Sequence, residues 1–256
     1  MKIAVTGKGG VGKTTIAGTL ARLLAQRQQQ VLALDADSNP NLALSLGIPP
    51  DRVRLMPSVP AGLTEWREDA SGEAYVHLRQ PVARFVADYG VTAPDGIRLL
   101  VMGQVIHAGV GCRCEAHAVA RGITGHLVAE ADVVVLDMEA GLEHLGRGTA
   151  EHVDILLIVV EPYYRALETA TRIRDLAAQL ELPGILVVAN RVRTPQEEAA
   201  IVQFCRNHNL ELVVAIPYDD AILAAEQRGL APLDYAPQSP AMRAISDLAT
   251  TLRDRC

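Results

Sequence analysis

Aromatic residues are scarce: two Phe, one Trp and six Tyr make up 4% of the 256 residues. The interior must therefore be filled by small aliphatic side chains. A 49% hydrophobic content rich in Ala, Val and Leu suits helices packed on a buried parallel sheet, whose strands read as continuous apolar runs. A basic excess is also missing. Twenty-four Lys and Arg stand against thirty Asp and Glu, for a formal charge of -6, and no basic cluster stands out, which argues against sequence-independent nucleic-acid binding. The first apolar run is far too short for a signal peptide or a membrane helix, so a cytoplasmic location is expected and a membrane partner is not. Four cysteines, two of them one residue apart, do not form the even framework of a disulfide-stapled domain. The length is that of one α/β domain.

What is present is organised around Gly7-Lys8-Gly9-Gly10-Val11-Gly12-Lys13-Thr14-Thr15. It follows the apolar run Ile3-Ala4-Val5 and precedes a helical pattern in which Ile16, Leu20, Leu23 and Leu24 recur. The spacing G-x-x-x-x-G-K-T lets backbone N–H groups close on phosphate oxygens, with Lys13 at the β- and γ-phosphates and the Thr14 hydroxyl on magnesium. The helix N-terminus adds its positive dipole end. Gly7, Gly9 and Gly12 also satisfy G-x-G-x-x-G, and Asp35 ends the next strand where a dinucleotide fold holds a ribose. Lys13-Thr14 decides between the two, because a cation and a hydroxyl after the last glycine suit a triphosphate with magnesium.

Lys8 makes this segment resemble the deviant Walker A motif of the MinD, ArsA and nitrogenase iron protein class of ATPases. The resemblance implies a doubly wound, mainly parallel sheet with helices on both faces, ATP and ADP as ligands, and a homodimer in which Lys8 reaches the partner's nucleotide. Taken by itself, Lys8 is a mobile cation near phosphate.

The second strand, Val31 to Leu34, ends in Asp35-Ala36-Asp37, at the sheet edge where open α/β folds place ligand chemistry. The same resemblance gives Asp37 the task of orienting the attacking water and Asp35 a supporting one. Asp37 also reads as the cap of a short helix ending near Leu46. Residues from about 48 to 97 are broken by prolines and read as an insertion or lid, with one helix near Pro81 to Tyr89. Trp66 reads there as a local packing anchor.

The strand Arg98 to Gly103 leads through Cys112-Arg113-Cys114 into a helical pattern from Ala116 to Ala129. A helix entrance favours thiolates. Residues two apart in extended chain project to one side, so Cys112 and Cys114 can offer two sulfurs to one ion but not four. A twofold axis would supply a second pair, and His107, Glu115 and His117 lie close in sequence. Two small buried residues or a redox disulfide are the other readings. Cys205 reads as core on a helix, and Cys256 has no partner in view.

The strand Asp132 to Asp137 ends in a carboxylate suited to magnesium, usually through water, and Gly141 follows as a hinge. The loop motif, the C-x-C and Asp137-Met138-Glu139-Ala140-Gly141-Leu142-Glu143-His144-Leu145-Gly146-Arg147-Gly148 together resemble the CooC family. That family comprises the nickel-insertion ATPases of carbon monoxide dehydrogenase maturation. Residues 48–97 carry nothing of the family's pattern. Two more parallel-type strands follow, and in the resembled class Asn190 at a strand end reads the adenine, with Pro217 and Tyr218 on its other side. A last helix, Pro240 to Arg253, puts Met242, Ile245, Leu248 and Leu252 on one face and lacks a basic excess.

The resemblance therefore implies a metallochaperone: ATP closes a homodimer, two C-x-C pairs hold one nickel ion, and hydrolysis releases it to a nickel enzyme such as carbon monoxide dehydrogenase. Zinc fits four thiolates as well. An electron-transfer ATPase with an inter-subunit iron–sulfur cluster and a MinD- or ParA-like positioning ATPase are the alternatives.

Overall fold

The computed structural model describes residues 1–37, 39–60, 63–68, 74–102, 119–123, 125, 131–141 and 150–255. The central sheet has eight strands. In chain order its strands are β1 (Lys2–Gly7), β2 (Val31–Asp35), β5 (Val91–Thr92), β6 (Arg98–Val101), β7 (Val133–Asp137), β8 (Ile155–Val160), β9 (Gly184–Val192) and β10 (Glu211–Pro217). Their spatial order is β10-β9-β8-β1-β7-β2-β6-β5. Every neighbouring pair is parallel except β5 with β6, which closes one edge. This is the doubly wound, mainly parallel sheet that the resemblance implied, and its buried parallel strands are those the apolar runs suggested. β1, β2, β7 and β8 are buried along almost their whole length, as strands covered on both faces must be.

Helices cover both faces. On one lie α1 (Lys13–Ala25), α2 (Leu42–Ser45) and α9 (Pro240–Arg253), whose Ile16, Leu20, Leu42, Ile245 and Leu252 share a core cluster with Ile3, Val5 and Val135. On the other, α4 (Val82–Tyr89), α5 (Tyr164–Gln179) and α6 (Pro195–Asn207) bury Phe85, Ile173 and Ile201 beside Leu34, Leu136 and Ile158. Cys205 belongs to this second cluster and is buried, as expected. The last helix buries Met242, Ile245, Leu248 and Leu252 as its periodicity requires. Among the described residues, no helix is long and apolar enough to cross a membrane.

Within residues 48–97, Ile48, Val59, Phe85 and Ile97 join the core. The short helix α3 (Pro50–Val53) and an antiparallel hairpin, β3 (Thr64–Glu68) with β4 (Ala74–Leu78), lie between them. The hairpin corrects the reading of Trp66. At 64% exposed, it stands on an outer strand and anchors no packing. Glu65, Arg67 and Glu68 beside it leave no alternation of apolar residues to mark a strand.

Beyond β10, α7 (Asp220–Glu226) and α8 (Pro232–Tyr235) lead to α9. One side chain ties two of these helices together. The Asp219 carboxylate accepts from Ala221 N at 3.0 Å, at the start of α7, and from Ala241 N at 3.1 Å, in the first turn of α9. Burial alone would raise its pKa, but the bonds from the Ser239 hydroxyl and these two amides prevail and hold it below the usual carboxylate range. Asp219→Ala should cost about 1–2 kcal/mol by removing a cap shared by two helices. Because the folded carboxyl is the more acidic, this contribution is present above the free aspartate value of about 3.9 and is lost as pH falls through the lower folded value. Urea unfolding at pH 7 and near pH 3 checks it: the difference between parent and variant should shrink at the lower pH.

Candidate functional site

β1 lies between β7 and β8 at the centre of the sheet, so the loop after Gly7 opens between two strand ends. Gly7 has φ +145°, and a Cβ there would collide with the Val159 carbonyl of β8. Gly12 has φ +91°, and a Cβ there would collide with the Asn190 amide. Only glycine tolerates both demands. Gly12 also precedes α1 with no side chain capping the first turn, so the backbone N–H groups of residues 13–15 face the loop's concavity unclaimed by a cap. Lys13 is buried and donates from Nζ to the Lys8 carbonyl at 3.3 Å, whereas Lys8 is exposed. Burial lowers the Lys13 pKa, against the opposing pull of Asp137, Asp37 and Glu139. Thr14 and Thr15 follow on the first turn of α1, both half-buried.

Across from the loop, three acidic residues meet. Asp35 and Asp137 are register partners on β2 and β7, which places their side chains on the same face of adjacent parallel strands. Both are essentially unexposed. Asp35 is satisfied: its oxygens accept from Leu42 N at 2.9 Å and from Asp37 N at 3.2 Å. The cap of α2 is thus supplied by Asp35, which corrects the reading of Asp37 as that cap. Asp37 accepts from Asn39 N at 2.9 Å in a local turn and is half-buried.

Neither oxygen of Asp137 has a hydrogen-bond partner among the described residues. The Thr14 hydroxyl stands near enough to favour the charged form without meeting bonding geometry. Burial, followed by repulsion from Asp35, pushes the Asp137 carboxyl well above the usual range. A buried carboxylate with no donor is costly unless a cation compensates it. Together with the Thr14 hydroxyl and the all-oxygen chemistry of this corner, that orphaned group fits magnesium. Gly141, at φ +106°, donates from N to the Gly7 carbonyl at 3.2 Å, so the chain after Asp137 runs directly beside the loop.

On the far side of the loop lies a cavity of about 270 Å³, lined among others by Gly12, Asn190, Pro217, Tyr218 and Asp219. Asn190, Pro217 and Tyr218 thus line one cavity with Gly12 of the loop. One amide hydrogen of Asn190 is already committed, to Val11 O at 2.7 Å. Several further lining residues were not among the expected site residues, three of them charged groups next to the loop or the expected base contacts. Glu161 follows β8, Arg191 follows Asn190, and Arg193 lies with its guanidinium 3.5 Å from the Tyr218 ring centre. Glu161 carried a usable signal, since it follows an apolar run as Asp35 and Asp137 close theirs.

Cys112, Cys114, His107, Glu115, His117, Glu143, His144 and Cys256 lie outside the described residues, as does most of the helix expected from Ala116 to Ala129. Residues 119–123 of that helix are described and helical, with Val119, Ala120 and Ile123 in the core.

A family model described as the CobQ/CobB/MinD/ParA nucleotide binding domain matches residues 2–233. The carbon monoxide dehydrogenase accessory protein CooC of Rhodospirillum rubrum is 44% identical over 93% of this chain and 91% of its own. An uncharacterized ATP-binding protein of Methanocaldococcus jannaschii is 39% identical over 90% of each. Among solved structures, the MinD cell division protein of Aquifex aeolicus superposes with a TM-score of 0.71 at 25% identity, over 99% of this chain and 96% of that one. A ParA family ATPase from Chlorobium tepidum gives 0.71 at 22% identity over 98% of both, a likeness of fold. This chain belongs to the CobQ/CobB/MinD/ParA nucleotide-binding family and is a P-loop ATPase of the CooC type.

Proposed function

We propose that the chain is an ATP-driven metallochaperone that delivers nickel to carbon monoxide dehydrogenase or a related nickel enzyme. The observation that carries this reading is the 44% identity, over 93% of the chain, to a carbon monoxide dehydrogenase accessory protein, in a chain that has Cys112 and Cys114 as a C-x-C. The chain is one ATPase domain; within residues 48–97 the part that can serve as an insertion or lid is the β3–β4 hairpin, since Phe85, Ile97 and β5 are built into the core and the central sheet, and the protein works in the cytoplasm without nucleic-acid or membrane partners. Likeness to MinD favours a positioning ATPase as the second reading. That reading gives the two thiols no task.

In the proposed mechanism, the backbone of Gly7, Gly9, Gly10, Val11 and Gly12 and the first turn of α1 hold the phosphates, with Lys13 and Thr15 among them. Thr14, and Asp137 through water, would hold magnesium, which would supply neutralisation of charge on the phosphate oxygens. Asn190, Pro217 and Tyr218 enclose the adenine. Asp37 orients the water that attacks the γ-phosphate. Lys8, exposed on the loop, reaches the nucleotide of a second copy and so closes the dimer only when ATP is present. Closure brings two C-x-C pairs together around one cargo ion, nickel, in a four-thiolate site that zinc also fits. Hydrolysis removes the closing contact and frees the ion.

Lys13→Ala should abolish ATP hydrolysis, by about 100-fold or more, whereas Asp37→Ala should keep nucleotide binding and lose turnover. Phosphate release with parallel ADP titration separates them, and parent-like hydrolysis by Asp37→Ala would remove it from the water-orienting role. Lys8→Ala should bind nucleotide nearly as the parent does yet stay monomeric with a non-hydrolysable ATP analogue in sedimentation. An undiminished dimer fraction would return Lys8 to a mobile surface cation. Metal analysis should give one divalent ion per dimer, lost in Cys112→Ser or Cys114→Ser because serine lacks the soft ligand. One ion per monomer, or retention in the double variant, would sink the shared site, and iron with sulfide would support the electron-transfer alternative.

A further inference from the structure

The end of β9 departs from a regular strand at the two residues that face the loop. Ala189 pairs with Ala215 and Val192 with Pro217, so β9 advances three residues while β10 advances two. The extra residue is a bulge, with Arg191 in the left-handed region at φ +57°. In a regular strand, Asn190 and Arg191 would point to opposite faces. Here both reach the same loop: Asn190 Nδ2 donates to Val11 O at 2.7 Å, and Arg191 Nη1 donates to Gly10 O at 2.9 Å. Arg191 Nη1 also donates to Glu161 Oε1 at 2.7 Å, beyond the end of β8.

A trans peptide is planar, with its C=O and N–H pointing opposite ways. Holding the carbonyls of Gly10 and Val11 on the β9 side therefore turns the N–H groups of Val11 and Gly12 away from β9. We infer that Arg191, braced by Glu161, is a positioning residue that fixes the glycine loop with its amides aimed at the phosphates. Both residues also line the base cavity. Arg191 is 46% exposed and Glu161 only 16%, and an exposed pair in water holds weakly. A base seated in the cavity shields the pair and strengthens it. Occupancy of the base cavity thereby stiffens the phosphate cradle, and Arg191 is the link between them.

This inference rests on residues 7–15 being the phosphate cradle, and the test separates the two claims. Displacement of a fluorescent ADP analogue by ATP, ADP and adenosine is measured on the full chain for the parent, Arg191→Met, Glu161→Ala, their double variant and Lys13→Ala. Loss of the clamp should weaken ATP and ADP about tenfold, the size expected for a charged hydrogen bond, and adenosine far less, through its coupling to the pair alone. The double variant should be no weaker than Arg191→Met, since both changes remove one clamp. Melting temperatures should match the parent, and if Arg191→Met fails to fold, Glu161→Ala decides. Equal weakening of adenosine would make Arg191 a base contact instead. Parent-like ADP affinity in Arg191→Met, or additive losses in the double variant, would also overturn the clamp. If Lys13→Ala keeps its ADP affinity, the cradle reading itself fails, whatever Arg191 does.

Discussion

Two carboxylates on adjacent parallel strands, both buried, cannot carry full charge at neutral pH unless something positive stands beside them. Asp35 and Asp137 are such a pair, forced into register by the pairing of β2 with β7. Asp35 is relieved by two backbone amides, which leaves Asp137 as the unrelieved member. Lys13 is the cation that the sheet order brings near, and its own burial works against its charge. The corner is therefore built with a deficit that a divalent cation and a polyphosphate can fill together. The glycine loop and the uncapped start of α1 leave backbone donors turned toward the same space, and the bond from Gly141 N to the Gly7 carbonyl holds the chain after Asp137 against the loop.

Much of this could be read from the residues because it depends on local pattern. Asp35 and Asp137 each close a continuous apolar run, and a run followed by a carboxylate places that carboxylate at the sheet's carboxyl edge. The loop spacing carries its own chemistry. Other parts depended on partners distant in sequence. Nothing near Asp35 says that its oxygens will reach Leu42 and so take the capping task from Asp37. Nothing near Arg191 says that a bulge will turn its guanidinium back onto Gly10, because the bulge is a property of the pairing with β10. The β3–β4 hairpin was missed for a different reason. Its first strand, β3, carries Glu65, Arg67 and Glu68 around Trp66 and lacks the alternation that burial imposes on a strand.

The same sheet edge also ties the two acidic strand ends to the residues that flank the C-x-C in sequence. Asp137 O accepts from Ala36 N at 3.0 Å, and Asp35 O accepts from Met102 N at 2.8 Å. Met102 precedes the segment holding Cys112 and Cys114, and Val119, Ala120 and Ile123 beyond it lie in the same core cluster as Met102. Both ends of the C-x-C segment are therefore anchored in one rigid interior, and its entrance is one residue-to-residue hydrogen bond from the Asp35–Asp37 turn. A contiguous path of this kind transmits a change only if some element along it has two arrangements. The Asp37 carboxylate accepts a hydrogen bond within its own turn, from Asn39 N, and acts on Lys13 through charge alone. Asp35 is tied across to α2 by the bond from Leu42 N, so the two carboxylates of the turn differ in what holds them although one short segment carries both.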